Sequence, residues 1–256
     1  MIRINHKLII NLFGVLLLFN SAFIFVSTLV SLYFNDGVTL GFFYAGLIVS
    51  FVGFILFFST RKYNQQIQKK EVYIIVSFGW LLMICSGMLP YIFTDSIPQI
   101  SFAFFETSSG YTATGSTVIN NVEDLPASIL FWRSTTHWIG GMGIIVLAVA
   151  ILPLLGIGGM QLFSAEAPGP NGSKLHPRIT DTAKRLWYIY VGLTFAETSL
   201  LTFAGMDFFD AINNSMSTIA TGGFSTKNVS IAYWNNSPLI QYIIIFFMFI
   251  SGANFV

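Results

Sequence analysis

Two stretches of this chain carry residue types that can replace the water shell of a cation. One is Thr112-Ala113-Thr114-Gly115 and the other is Ile219-Ala220-Thr221-Gly222. Backbone carbonyls do this chemistry when several converge on one axis. Gly115 and Gly222 supply the unusual dihedrals that such a turn requires. The small Ala and Thr side chains let neighbouring loops approach, and Thr hydroxyls hold the strand from behind or add an oxygen. No carboxylate is needed, which suits a monovalent ion that must also leave.

Subtracting 107 lays the second stretch on the first, so that Thr221-Gly222 falls on Thr114-Gly115, Ala220 on Ala113 and Phe209 on Phe102. A short helix-compatible segment precedes each stretch, from Phe102 to Glu106 and from Phe209 to Asn213. The carboxyl end of such a helix carries partial negative charge and favours a cation. Taken singly, either stretch reads as an ordinary turn. Two at matching positions, each between long apolar segments, have the plan of a pore loop.

The elements that must position these loops are apolar. The chain has 256 residues, of which 54% are hydrophobic and 9% charged, against about 25% charged in a soluble domain. Lipid must therefore face most of it. A net charge of +1 argues against nucleic acid as a partner, and the single Cys85 excludes an internal disulfide or a cysteine metal cluster. Six apolar segments are predicted as spans, at roughly 8–34, 38–60, 72–94, 128–156, 186–206 and 238–256. The first is too long for a cleaved signal and reads as a retained span. The loops at 98–118 and 207–226 are too short and polar to cross, and fit re-entrant segments buried in protein or lining a wet cavity. The fold expected is an all-α integral membrane protein with six transmembrane helices and two re-entrant pore loops. Its divisions are an N-terminal two-helix segment 1–62, a first span–loop–span repeat 63–160, a cytoplasmic loop 161–185 and a second repeat 186–256.

Ten of the 12 Lys and Arg residues lie before the first span or in the connections after the second and fourth. The positive-inside rule puts these, and the N-terminus, in the cytoplasm. The two loops then enter from outside, where Asp36, Asp95, Glu123, Asp124, Asp207 and Asp210 also fall. Those acids either concentrate cations at the mouth or only solvate the outer surface. The connection 160–185 carries Ala167-Pro168-Gly169-Pro170-Asn171-Gly172 and is a plausible docking surface for a soluble partner.

Glu197 lies inside the fifth apolar segment and is either a functional carboxylate or a hydrogen-bonded packing group. Glu106 is placed to brace the first loop through backbone amides, with Asn213 as its counterpart. Arg133 and His137, one turn apart at the outer start of the fourth segment, pair with outer acids or shape the mouth. Gly140, Gly141 and Gly143 let that segment pack closely against a loop.

The chain resembles the membrane subunit of the bacterial Trk potassium-uptake system, within the Trk/Ktr/HKT superfamily. Thr112-Ala113-Thr114-Gly115-Ser116-Thr117, Trp138-Ile139-Gly140-Gly141-Met142-Gly143-Ile144 and the run from Ser217 to Thr226 carry the resemblance. Ala165-Glu166-Ala167-Pro168-Gly169-Pro170 and Pro177-Arg178-Ile179 resemble the cytoplasmic loop of the Trk branch, and two spans before the first repeat point the same way. The resemblance implies four span–loop–span repeats around one pore, of which this chain holds two. It implies a filter glycine at Gly115 and Gly222, ion ligands from the backbone of Ala113, Thr114, Ala220 and Thr221, and Thr112 and Ile219 next along the pore. Sodium-preferring relatives often carry Ser at the first glycine, so glycine at both positions favours potassium. The chain stops inside its last apolar run, at Gly252–Val256, and is expected to be the N-terminal half of a longer protein. The missing half, a cytoplasmic nucleotide-binding regulatory subunit and a second copy of the full-length protein are the expected partners. A bacterial inner membrane is the expected location.

The expected function is potassium uptake, with potassium as the transported ion and no cofactor. A sodium-permeable transporter of the same superfamily and a non-conducting half-length scaffold are the alternatives. A membrane enzyme is disfavoured, because His6, His137 and His176 stand in no spacing that suggests catalysis.

Overall fold

The computed structural model describes residues 5–60, 69–151 and 176–252, and every regular element among them is helical. Helix α1 spans His6–Phe34 and α2 spans Thr39–Ser59. Asn5 opens α1 by accepting from the Leu8 amide at 3.2 Å, and Asn35 closes it in the left-handed region at φ 50°. The short connection makes α1 and α2 an antiparallel hairpin. Helix α3 (Lys69–Gly87) gives way to the short α4 (Leu89–Phe93), where Pro90 sits in the first turn, the one place a helix tolerates it. Helices α5 (Ile100–Tyr111) and α6 (Ala127–Ile151) follow, then α7 (His176–Phe203), α8 (Phe208–Ile219) and α9 (Pro238–Gly252).

The long helices fall on the expected apolar segments. Among the described residues, His6–Phe34, Thr39–Ser59 and Glu71–Phe93 are long and apolar enough to cross a membrane. Helix α9 is a shorter apolar helix of 15 residues. Helix α7 begins at His176, with Pro177 in its first turn, inside the stretch expected to be loop. Most of the expected connection 161–185 lies outside the described residues, as do Arg3, Arg61, Lys62, Lys174 and the end 253–256.

Polarity is arranged inside-in rather than outside-out. On α1 the buried residues include Asn20, Ser21, Ser27, Thr28 and Ser31, while Leu29, Leu32 and Tyr33 are exposed. Ser27 and Thr28 spend their hydroxyls on the Phe23 and Ile24 carbonyls one turn back. Such a helix suits lipid outside and small-residue packing inside. One core gathers Ile24, Phe42, Tyr91, Ile129 and Trp132 from α1, α2, α4 and α6, beneath the first helix–loop unit. A second gathers Leu201, Ala211, Ile240 and Ile244 from α7, α8 and α9, with Met206 from the connection between α7 and α8, beneath the other. Helix α6 packs against both α5 and α8, so the two loops share one support.

Candidate functional site: two matched helix–loop units

Helices α5 and α8 are each 12 residues long, and Ile100 and Tyr111 map onto Phe208 and Ile219 when 108 is added. The expected register was 107, and the structure corrects it. The amides of Thr112, Ala113 and Thr114 donate to the carbonyls of Ser108, Gly110 and Ser109 at 3.0, 2.9 and 3.0 Å. Those of Ala220, Thr221 and Gly222 donate to Met216, Thr218 and Ser217 at 3.2, 2.9 and 2.8 Å, each 108 residues on. Positive φ recurs in the same register, at Ala113 (51°) and Thr221 (56°), then at Gly115 (78°) and Gly223 (96°). Gly223, not Gly222, is therefore the counterpart of Gly115. The Thr-Gly dipeptide misled the sequence comparison because the second copy has two consecutive glycines, and only the second adopts positive φ.

The two loops touch. A Cβ added at Gly115 would lie 2.1 Å from the carbonyl oxygen of Gly222. Gly115 and Gly223 line a common cavity of about 170 Å³, together with Thr117, Arg133, Phe224 and Ser225. The side chains of Thr112, Thr114 and Thr221 are exposed. Thr112 Oγ1 donates to the Ser108 carbonyl at 2.8 Å and lies 2.8 Å from Thr114 Oγ1.

Arg133 pairs with Glu106 rather than with any of the acids expected outside. Arg133 and His137 are both buried behind the loops. Arg133 Nε donates to Glu106 Oε1 at 2.9 Å in an ion pair whose side chains are 2% and 0% exposed. The same guanidinium donates to the Ser225 carbonyl at 3.4 Å and lies 4.1 Å from the centre of the Phe224 ring, so it grips both loops. Glu106 also accepts from Thr117 Oγ1 and, at 3.0 Å, from the Val118 amide, which fits the expected bracing role. Its counterpart in the observed register is Asn214 rather than Asn213, and neither amide does this work. Asn213 and Asn214 donate to the Phe209 and Asp210 carbonyls on their own helix. Asp210 takes the bracing role in the second loop, accepting from Thr226 Oγ1 at 2.7 Å and lying 3.6 Å from Lys227 Nζ.

His137 stacks on Phe224 at 3.9 Å, and its Nδ1 lies 3.0 Å from Ser217 Oγ. Ser217 Oγ accepts from the Gly223 amide at 3.0 Å. The serine proton is thus free to go to Nδ1, and the relay runs from the second glycine to α6. Gly140 and Gly141 do let α6 approach the loops. A Cβ at Gly140 would lie 2.2 Å from the Tyr111 carbonyl, and one at Gly141 would lie 2.9 Å from Ala220 Cα. Gly143 faces Trp80 of α3 instead of a loop.

Asp36 and Asp207, two of the acids expected outside, are engaged locally. Asp207 caps α8 by accepting from the Phe209 amide at 2.9 Å. Asp36 accepts from the amide and hydroxyl of Ser128 at 2.9 and 2.6 Å, and also from Ser31. Partial burial pushes the Asp36 carboxyl up, but these hydrogen bonds outweigh it and hold the group below its ordinary value. Asn228 ties the segments that follow the two loops. Its Oδ1 accepts from the Val122 amide at 2.8 Å, its own amide donates to Glu123 Oε1 at 3.0 Å, and its Nδ2 donates to Asn121 Oδ1. Glu197 on α7 is fully buried, with Thr218 of α8 beside its carboxyl.

Sequence reasoning missed Asn20, Tyr111, Ser217, Phe224 and Asn228. Asn20 left a signal as an amide inside an apolar run, and Ser217 and Phe224 lie in the run that carries the resemblance, which gave them no role.

Comparison with known proteins places this architecture. The family model described as a cation transport protein, TrkH, matches residues 40–256. The Trk system potassium uptake protein TrkH of Escherichia coli (strain K12) is 45% identical over 254 residues, covering 98% of this chain and 52% of that protein. An uncharacterized cation transporter of Methanocaldococcus jannaschii is 34% identical over 234 residues, covering 91% of this chain and 48% of that protein. The crystal structure of the potassium transporter TrkH from Vibrio parahaemolyticus superposes with a TM-score of 0.86 at 40% identity, covering 98% of this chain and 51% of that one. The chain spans about half the length of the curated relatives it matches. On this evidence the chain is a multi-pass membrane protein and belongs to the TrkH family of cation transport proteins.

Proposed function

We propose that the chain supplies half of a potassium-conducting pore, with the two Thr/Gly loops as two of four filter segments. The observation that carries the reading is the repeated turn. Each 12-residue helix ends in a loop where φ is positive at one residue, not at the next, and positive again at a glycine. Such alternation lets successive peptide carbonyls turn to one side, where they can replace water around a cation. The ligands are the backbone oxygens of Thr112, Ala113, Thr114 and Gly115 and those of the second loop. The sequence reading placed the latter at Ile219, Ala220, Thr221 and Gly222, and the observed register extends them to Gly223. Potassium is favoured because the similar TrkH proteins are potassium transporters and because glycine stands at both filter positions. Four segments close the ring, so the remainder of a longer protein provides the other two.

In this reading the helices form six spans, the N-terminus is cytoplasmic, and the loops enter from the outer face of a bacterial inner membrane. A nucleotide-binding subunit docks on the connection 161–185, and the full-length protein pairs with a second copy. The test is potassium-dependent growth of an uptake-deficient bacterium. The 256-residue chain is compared with its full natural reading frame, each with and without Gly115→Ser. Growth by the full frame alone, with Gly115→Ser eroding potassium over sodium uptake, is the expected result. Rescue by the 256-residue chain alone would mean that two copies complete a pore. No rescue by either, with both in the membrane and the regulatory subunit supplied, would overturn the potassium reading.

A further inference from the structure

We infer that α1 is a positioning element for the first Thr/Gly loop and acts through a hydrogen bond between Asn20 and Tyr111. The inference rests on the proposed function only for its consequence in ion selectivity. Its geometry stands by itself.

Tyr111 is the last residue of α5 and directly precedes Thr112. It is fully buried and held at three points. Its hydroxyl donates to Asn20 Oδ1 at 2.6 Å. Its ring edge lies against Gly87 at the end of α3, where an added Cβ would be 2.6 Å from Cε2. Its carbonyl lies against Gly140 of α6, as described above. The hold from α1 is the polar one, and its orientation is determined. Ser86 Oγ donates to the Met83 carbonyl at 3.1 Å, so its lone pairs accept from Asn20 Nδ2 at 2.8 Å. That leaves Oδ1 for Tyr111.

An amide inside an apolar helix is costly unless its partners are fixed, and this one is satisfied on both sides. A polar group of that kind specifies one rotational setting of α1 against α5. The α1–α2 hairpin is fixed a second time where Asp36 accepts from the amide and hydroxyl of Ser128 near the start of α6. The hairpin therefore bears on α5 and on the helix that supports both loops.

The arrangement is one-sided. The residue equivalent to Tyr111 in the second unit is Ile219, which has no hydroxyl to tether. Asn20 also lies outside the part of the chain matched by the family model, residues 40–256. The N-terminal hairpin thus holds the loop end of the first unit by a hydrogen bond, whereas it meets the second unit through the ring of Phe34 against Phe209, at the opposite end of α8 from the loop. Releasing the tether frees the end of α5, and the amides of Thr112, Ala113 and Thr114 lose the stable helix turn to which they donate.

The test compares Tyr111→Phe, Asn20→Leu, their double variant and Asn20→Asp in the protein expressed through its full reading frame. Asn20→Asp keeps the acceptor for Tyr111. Hydrogen exchange of the purified protein is read at residues 112–115 and 221–223, and potassium against sodium uptake is read in proteoliposomes. We expect each single removal to speed exchange at 112–115 and not at 221–223, and to lower the potassium-to-sodium ratio by about fivefold to tenfold. The double variant should be no worse than either single, and Asn20→Asp should retain most of the parental ratio. Unchanged exchange at 112–115, or equal gains at both loops, overturns the inference. So does an unchanged ratio in a parent that transports potassium. If the parent carries no potassium, the proposed function fails and exchange alone decides the role of α1.

Discussion

Gly115 faces the carbonyl of Gly222 so closely that a side chain at 115 would begin 2.1 Å from that oxygen. The same residue has φ 78°, where a Cβ is strained whatever the space. Gly115→Ala or Gly115→Ser should therefore add about 1–3 kcal/mol of backbone strain and push the loops apart. Thermal denaturation in detergent should show a lower midpoint, and a cysteine pair introduced across the two loops should cross-link more slowly. An unshifted midpoint together with unchanged cross-linking would mean that the loops do not touch.

The Arg133–Glu106 pair is nearly inaccessible, so removing one partner leaves a buried charge. Arg133→Met should destabilise by roughly 3–5 kcal/mol, and Arg133→Met with Glu106→Met by less than Arg133→Met alone. Unfolding of the purified variants checks the ordering. A double variant weaker than both singles would contradict the pair as the source of the loss.

Ser217 stands between the Gly223 amide and His137. Ser217→Ala removes the acceptor of the Gly223 amide, which is only partly shielded from solvent, and should cost about 0.5–1.5 kcal/mol. His137→Phe keeps a ring against Phe224 and should cost less, while still disturbing the second loop more than the first. Hydrogen exchange at Gly223 and at Gly115 separates the two cases. Faster exchange confined to Gly115 would refute the relay.

Asp36 yields a pH dependence. Its carboxyl is held below the ordinary 3.8, so the unfolded state takes up its proton first as pH falls. The resulting stability is fully present above 3.8 and is lost as pH drops through the lower folded value. Asp36→Asn should lower the midpoint at neutral pH and narrow its gap from the parent in acid below 3.8. A gap independent of pH would show that the charge is immaterial to these bonds.

The long helices were legible because apolar runs of that length leave little choice once lipid is the solvent. The loop residues were legible as types, since Ala-Thr-Gly occurs twice, each time after a short helix-compatible stretch between long apolar segments. Their register was not. Thr221-Gly222 looks like Thr114-Gly115, and only backbone dihedrals reveal that Gly223 does the work of Gly115. The partner of Arg133 was illegible for a related reason. Near the end of an apolar run an arginine reads as interfacial, and nothing local announces Glu106, 27 residues earlier, as its partner. Asn20 and Tyr111 are 91 residues apart and meet only after α1, α3 and α5 have packed.

Asn228 bonds residues 121, 122 and 123 with its side chain and its own amide together. That knot fixes the arc length of both post-loop segments at once. An insertion after Gly115 must be matched by slack after Gly223, or three bonds part together. The segments can be transplanted between relatives only as a pair, and length changes in one should be tolerated only where the other changes with it.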